Sequence, residues 1–235
     1  MEDQMSLYAI GDLHLSTGTD KPMDVFGGAW ENYAEKIKNG FSELGEEDTV
    51  VLCGDLSWGK SLEESLGDFR FIDQLPSRKI LLKGNHDYWW TTVSKMKNFF
   101  QKHGIEGFDI LHNNCILLEG VAICGTRGWF FEDDFSDNHD RKVYQRELMR
   151  LEASLKEGKA SGADRIFTFL HYPPLTLDYA CEEIIDLLVT YDVEICCYGH
   201  LHGNSHRRAV TGKRHGIDFK LVSADYVGFK PVKIL

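Results

Sequence analysis

Short apolar runs alternate with amphipathic stretches along this chain, and several of the runs end in ionisable residues. Leu7-Tyr8-Ala9-Ile10 reads as a short buried strand, followed by a loop rich in Gly, Asp and Thr through Gly28. Trp30 to Phe41 has helical spacing, and Gly40 and Gly45 help close it off. Thr49 to Cys53 is a second buried strand. Ser61 and Glu64 form an S-x-x-E capping box that opens a helix running towards Leu75-Pro76. Lys79 to Lys83 is a third strand. From about Thr91 to His103, Val93, Met96 and Phe100 share one helical face, with Gly104 as the stop.

The middle changes character. Asn114 to Glu119 and Val121 to Cys124 flank the turn signal Glu119-Gly120, which predicts a hairpin. Gly125 to Asp140 is aromatic and acidic without periodicity. Tyr144, Leu148, Leu151 and Leu155 then mark one face of a helix that ends at Gly158. Strand, loop, helix and strand return over Arg165–Leu170, Glu182–Tyr191 and Glu194–Tyr198. The tail from Ser205 to Leu235, with Thr211-Gly212, looks like antiparallel strands. No linker or repeat interrupts the chain, so one domain over residues 1–235 is expected. Strand–helix alternation implies parallel strands with helices outside, and ligands collect beyond the carboxyl ends of such strands.

Composition narrows the picture. With 235 residues the chain can bury a substantial core. A net charge of −11 argues against a non-specific nucleic-acid binder but not against an enzyme acting on a small anion, because bound divalent metals invert the local field. No apolar stretch reaches the length of a membrane span, and Met1-Glu2-Asp3-Gln4 lacks a secretory pattern, so a cytoplasmic location without membrane attachment is expected. The six cysteines show no C-x-x-C pairing and read as free thiols.

Chemistry enters where the apolar runs stop. Asp12 and His14, in Gly11-Asp12-Leu13-His14, lie two residues apart in extended chain and can face the same way. Asp55 follows a buried strand and a turning glycine. Its two oxygens suit it to bridge two cations, although a helix-initiating aspartate would look the same. In Gly84-Asn85-His86-Asp87, Asn85 is a neutral oxygen donor and His86 is placed to face substrate as proton donor or charge stabiliser. His171 opens His-Tyr-Pro-Pro, and Gly199-His200-Leu201-His202 repeats the two-residue spacing. A polar loop explains any one of these segments. Five in this order point to a dinuclear metal centre hydrolysing phosphate esters.

These residues resemble the pattern of the calcineurin-like metallophosphoesterases: D-x-H, G-D, G-N-H-D/E, H and G-H-x-H, here over residues 11 to 203. The resemblance implies an α/β (α+β) fold, a four-layer αββα sandwich. It assigns Asp12, His14, Asp55 and His202 to one metal and Asp55, Asn85, His171 and His200 to the other, with Asp55 bridging; two such cations are expected to hold a hydroxide between them. His86 takes the substrate-facing, catalytic role. The nitrogen and oxygen donors suit two divalent or mixed-valence ions of Mn, Fe, Zn, Co or Ni alike.

One segment departs from the phosphoprotein phosphatases of this superfamily, which carry G-D-x-x-D-R-G. Trp58 stands in the place of the second Asp and Gly59 in that of the Arg. This speaks against a Ser/Thr protein phosphatase and leaves open what positions His86. Arg127 is a candidate phosphate clamp, or else an ordinary solvated arginine. Trp58, Tyr88, Trp89, Trp129 and Phe130 are available to stack on a substrate or to fill core, and Glu132-Asp133-Asp134 reads as a solvated loop. The expected activity is hydrolysis of a phosphomonoester or phosphodiester of a small substrate. The alternatives are a nuclease, a protein phosphatase or a non-catalytic scaffold on the same fold.

Overall fold

Burial on both faces decides where the strands form. The computed structural model describes residues 6–21, 23–129 and 138–235; Phe130 and Glu132-Asp133-Asp134 lie outside them. The first half runs β1 (Leu7–Ile10), α1 (Tyr33–Phe41), β2 (Thr49–Leu52), α2 (Leu66–Asp73), β3 (Arg78–Leu81), α3 (Val93–Lys102) and β4 (Phe108–Ile110). The hairpin β5 (Cys115–Leu118) and β6 (Val121–Thr126) follows, then α4 (Asn138–Ala160), β7 (Arg165–Leu170), and the short β8 (Leu175–Thr176) and β9 (Tyr179–Ala180). The chain continues through α5 (Glu182–Thr190), β10 (Val193–Tyr198), β11 (Gly212–Arg214), β12 (Ile217–Leu221) and β13 (Val232–Lys233).

Two mixed sheets result, ordered β13-β1-β2-β3-β4 and β11-β12-β10-β7-β6-β5. β1 to β4 pair in parallel, as do β6, β7, β10 and β12, while antiparallel partners sit at edges. Alternate side chains point to opposite faces of a strand, and here both faces are covered. Leu7, Ala9, Val51, Ile123, Phe167 and Phe169 meet between the sheets. Ile10, Leu52 and Leu81 face Ile37, Phe69 and Phe100 of α1, α2 and α3. Leu170, Cys196 and Phe219 face Leu151 of α4 and Ile184 of α5. The layers are therefore helices, sheet, sheet, helices, as the resemblance implied.

Three differences from the sequence reading have local causes. α1 starts at Tyr33 because Asn32 adopts a left-handed φ of 53°. Trp30 instead packs edge-on against Tyr33 and Phe229, with ring centroids 5.7 and 5.2 Å away. The Ser61–Glu64 box does form, with Glu64 N donating to Ser61 Oγ and Lys60 N to Glu64 Oε2, yet regular helix begins only at Leu66. In the tail, β12 is parallel to β10, and only the β11–β12 and β13–β1 pairs are antiparallel. Alternating burial along Ile217–Leu221 is the same for either direction of pairing.

Phe167 has no solvent exposure between the sheets. Phe167→Ala is expected to cost about 3–5 kcal/mol, seen as a lower urea midpoint with an unchanged slope.

Candidate metal centre

The side chains singled out by the sequence stand at the carboxyl ends of parallel strands. Asp12 and His14 follow β1, Asp55 follows β2, Asn85 and His86 follow β3, His171 follows β7, and His200 and His202 follow β10. Hydrogen bonds between the two sheets and within the first bring these loops together. His200 N donates to Asp12 Oδ2 at 2.9 Å, and His86 N donates to Asp55 Oδ1 at 2.7 Å. The approach is so close that a Cβ at Gly84 would lie 2.0 Å from Asp55 Oδ1, and one at Gly199 would lie 2.3 Å from Asp12 Oδ2. Asp12, His14, Asp55 and His200 all hold left-handed φ values between 46° and 72°. Such conformations cost on the order of 1–3 kcal/mol each and persist where the surroundings enforce them, often at functional sites.

All seven candidate ligands share one cluster. His14 Nε2 lies 3.2 Å from His202 Nε2, and His202 Nε2 lies 3.4 Å from Asp12 Oδ1. Asn85 Oδ1 lies 2.6 Å from His171 Nε2 and 3.1 Å from His200 Nδ1. Asp55 Oδ2 sits 3.8 Å from His14 Nε2 and 3.6 Å from His171 Nε2, between the two groups of donors. Asp12 belongs both to a set with His14 and His202 and to one with Asp55 and His171, the donor atoms of each set lying within 4.8 Å of one another.

The residues fit divalent cations. Asp12 Oδ1 is buried without a hydrogen-bond partner, as is His14 Nδ1. His171 faces Cys53 O through Nδ1 at 3.1 Å and Asn85 Oδ1 through Nε2 at 2.6 Å, both oxygen acceptors. Burial lowers the His171 pKa, so the ring is neutral with one proton and one of those contacts sets a lone pair against oxygen. A cation beside Nε2 removes the conflict. Burial and neighbouring imidazoles likewise hold His14 and His200 down to about 3, in the neutral form that binds metal. Burial and then the Asp12 charge push Asp55 up to about 8. Without a cation, two adjacent carboxylates cannot both ionise readily.

Three supporting residues escaped the sequence reading as such. Asp87 accepts from Asp55 N, Leu56 N, Gly84 N and Trp89 Nε1, all at 2.7–3.0 Å, and so pins the loops after β2 and β3 together. Asp68, in α2, accepts from Ser57 Oγ and Thr17 N. Asp225, after β12, accepts a hydrogen bond from His202 Nδ1 at 2.9 Å and another from Gly203 N. Burial opposes protonation of His202, but Asp12 and Asp225 outweigh it and raise its pKa to about 10. Phe219 to Val222 followed by Ser223-Ala224-Asp225 repeats the pattern of an apolar run ending in a carboxylate. Read as an antiparallel tail, it gave no cause to look there.

His86 lines a cavity of about 360 Å³ with His14, Met23, Trp30, Trp58 and His202. Its Nδ1 is buried without a partner, so no carboxylate orients it through that atom among the described residues. Aromatic rings hold it instead. The Trp58 ring is 4.6 Å away and the Tyr88 ring 6.2 Å, and Trp58 also stacks on His14 at 4.9 Å. Arg127 is not in this cavity. Its guanidinium lies 5.9 Å from the Tyr172 ring and 3.7 Å from Glu147, beside a separate cavity. Trp89 is core, while Tyr88 is exposed.

A sequence profile described as calcineurin-like phosphoesterase matches residues 5–204. The chain belongs to that family and is a metal-dependent phosphoesterase. No curated protein matches it in sequence. Its fold is similar to that of the phosphopantetheinyl hydrolase of Mycobacterium tuberculosis, with 15% identity, a TM-score of 0.59, and 100% of this chain and 97% of that one covered. It is also similar to a protein of unknown function from Aquifex aeolicus, with 17% identity, a TM-score of 0.54, and 98% and 96% covered.

Removing a carboxylate behind a ligating imidazole commonly lowers metal affinity 10–100-fold. Asp225→Asn is therefore expected to weaken metal binding by roughly that factor, measured by competition with a chelating dye.

Proposed function

We propose that the chain hydrolyses a phosphomonoester or phosphodiester of a small substrate at a centre of two divalent cations. The observation that carries this reading is the convergence of seven oxygen and nitrogen donors from five loops, with Asp12 and Asp55 both lying between the two groups. Asp12, His14, Asp55 and His202 would hold one ion, and Asp55, Asn85, His171 and His200 the other. Bound cations supply the positive charge that makes water nucleophilic near neutral pH and steadies the oxygens around phosphorus during in-line displacement.

The protein's own groups account for the remainder. Asp225 and Cys53 O hold the Nδ1 protons of His202 and His171, turning each Nε2 towards the centre. His86 is kept neutral chiefly by burial. Its Nδ1 has no acceptor, which favours the tautomer carrying its proton on Nε2, the nitrogen left to the cavity. From there it donates a hydrogen bond to the leaving oxygen without transferring the proton, a contribution of order 10²–10³-fold for one positioned donor. Trp30, Trp58 and Met23 give the cavity apolar walls suited to the organic part of a small ester. The net charge of −11 and the loss of the G-D-x-x-D-R-G Asp and Arg favour such a substrate over nucleic acid or phosphoprotein. The free thiols support a reducing, cytoplasmic setting.

Mn²⁺-loaded protein is expected to hydrolyse bis-p-nitrophenyl phosphate or p-nitrophenyl phosphate, and inactivity on both would overturn the reading. His86→Ala should keep its metal and lose about 10²–10³-fold in kcat; unaltered turnover would remove His86 from the mechanism. Asp55→Asn should lower occupancy at both sites, and elemental analysis finding two retained ions per chain would contradict bridging.

A further inference from the structure

A second cavity, of about 150 Å³, opens on the same rim. It is built from the loop ends of neighbouring strands: Lys83 after β3, His112 and Asn113 after β4, and Arg127 after β6, with Arg150 reaching in from α4. Three cationic side chains line it against one carboxylate, Glu147, in a chain whose overall charge is −11.

The carboxylate is already committed. Glu147 is buried, its Oε2 lies 2.9 Å from Thr126 Oγ1, and its Oε1 pairs with Arg150 and, at 3.7 Å, with Arg127. It fixes the two guanidinium groups without using all their donors, since Arg127 Nε is buried and has no hydrogen-bond partner. Lys83 is half-buried, and its ammonium has no hydrogen bond or ion pair among the described residues. Thr126 Oγ1 donates to Glu147 and lies 3.1 Å from the Asn113 side-chain amide, which holds Asn113 at the cavity wall. An ammonium not committed to a protein carboxylate is available to an anion in the cavity, and forked guanidinium donors match the oxygens of phosphate.

The cavity adjoins the metal centre through short links. Lys83 directly precedes Gly84-Asn85, and the Arg127 carbonyl accepts from His171 N at 3.1 Å. The Tyr172 ring lies 5.9 Å from the Arg127 guanidinium on one side and 4.6 Å from the His200 ring on the other. We propose that Lys83, Arg127, Arg150 and Asn113 form an anion subsite for a second phosphate group of the substrate, next to the ester that is cleaved. The substrate class is then a phosphate ester bearing a separate terminal phosphate. This rests on the proposed hydrolysis at the metal centre, but the anion subsite itself can be tested apart from it.

The test pairs thymidine 5′-(p-nitrophenyl phosphate) with the same diester carrying a 3′-phosphate, using the Mn²⁺-loaded full chain. Arg127→Gln and Lys83→Gln should each raise KM for the 3′-phosphorylated ester at least tenfold more than for the plain one. Lys83→Gln guards against misfolding, because its ammonium holds no partner whose loss would unsettle the fold. In parallel, calorimetric titration with inorganic sulfate should show binding to the wild-type chain, metal-loaded or metal-stripped, that both substitutions weaken at least tenfold. Equal effects on the two esters, or sulfate binding indifferent to both substitutions, would overturn the subsite. Sulfate binding that falls in the variants while neither ester is cleaved would support the subsite and count against the hydrolytic reading alone.

Discussion

The Asp12 carboxylate ties the two halves of the molecule together at the place where chemistry is possible. Asp12 leaves the first sheet after β1, and its Oδ2 accepts from the backbone of His200, which leaves the second sheet after β10. A buried carboxylate accepting a backbone N–H is satisfied on one oxygen. Its other oxygen, without a hydrogen-bond partner, is left facing the imidazoles of His202 and His171. Together with His171 Nδ1 against Cys53 O, this contact sets the distance at which side chains on the two rims can share a ligand. The left-handed backbone at Asp12 and His200, and the absence of a side chain at Gly199, are conditions of the same contact.

Around that link the site is layered. Asp87 spends its acceptors on backbone N–H groups of the neighbouring loops, so it acts on geometry and not on substrate. Asp225 stands behind His202 and Cys53 O behind His171, and each selects which ring nitrogen carries the proton. His86 is held in another way. Trp58 sits where related phosphoprotein phosphatases carry a carboxylate, and it packs between His86 and His14. Packing fixes a ring's position, but it does not raise basicity as a hydrogen-bonded carboxylate does. This suits His86 to the part of a neutral hydrogen-bond donor.

Charge is distributed unevenly enough to be informative. An acidic chain would repel anionic esters at long range, yet the rim gathers Lys83, Arg127 and Arg150 into one cavity, while the cavity at His86 has walls of Trp30, Trp58 and Met23. His14 and His202 of the metal centre line the aromatic recess, and His171 is tied to the cationic one through the Arg127 carbonyl.

Short-range pattern carries much of this in the sequence itself. Apolar runs of four to six residues such as Thr49–Leu52 and Arg165–Leu170 can be read as buried strands, and the polar residues that stop them can be read as candidate donors, because strand ends and turning glycines are local events. The Ser61–Glu64 box was legible for the same reason, although its contacts did not decide where regular helix begins. Pairing partners are not local. Nothing in Ile217–Leu221 says that it lies parallel to β10, since period-two burial is identical for both directions. The second-layer role of Asp225 therefore became visible only with the sheet order. The three residues of β4 are too few to show a period, so the placement of His112 and Asn113 beside Lys83 was hidden as well. The chain by itself determined which atoms are able to bind metal and phosphate. Tertiary structure decided which of them meet, because distances between strand ends depend on crossovers and sheet packing that no short stretch of sequence encodes.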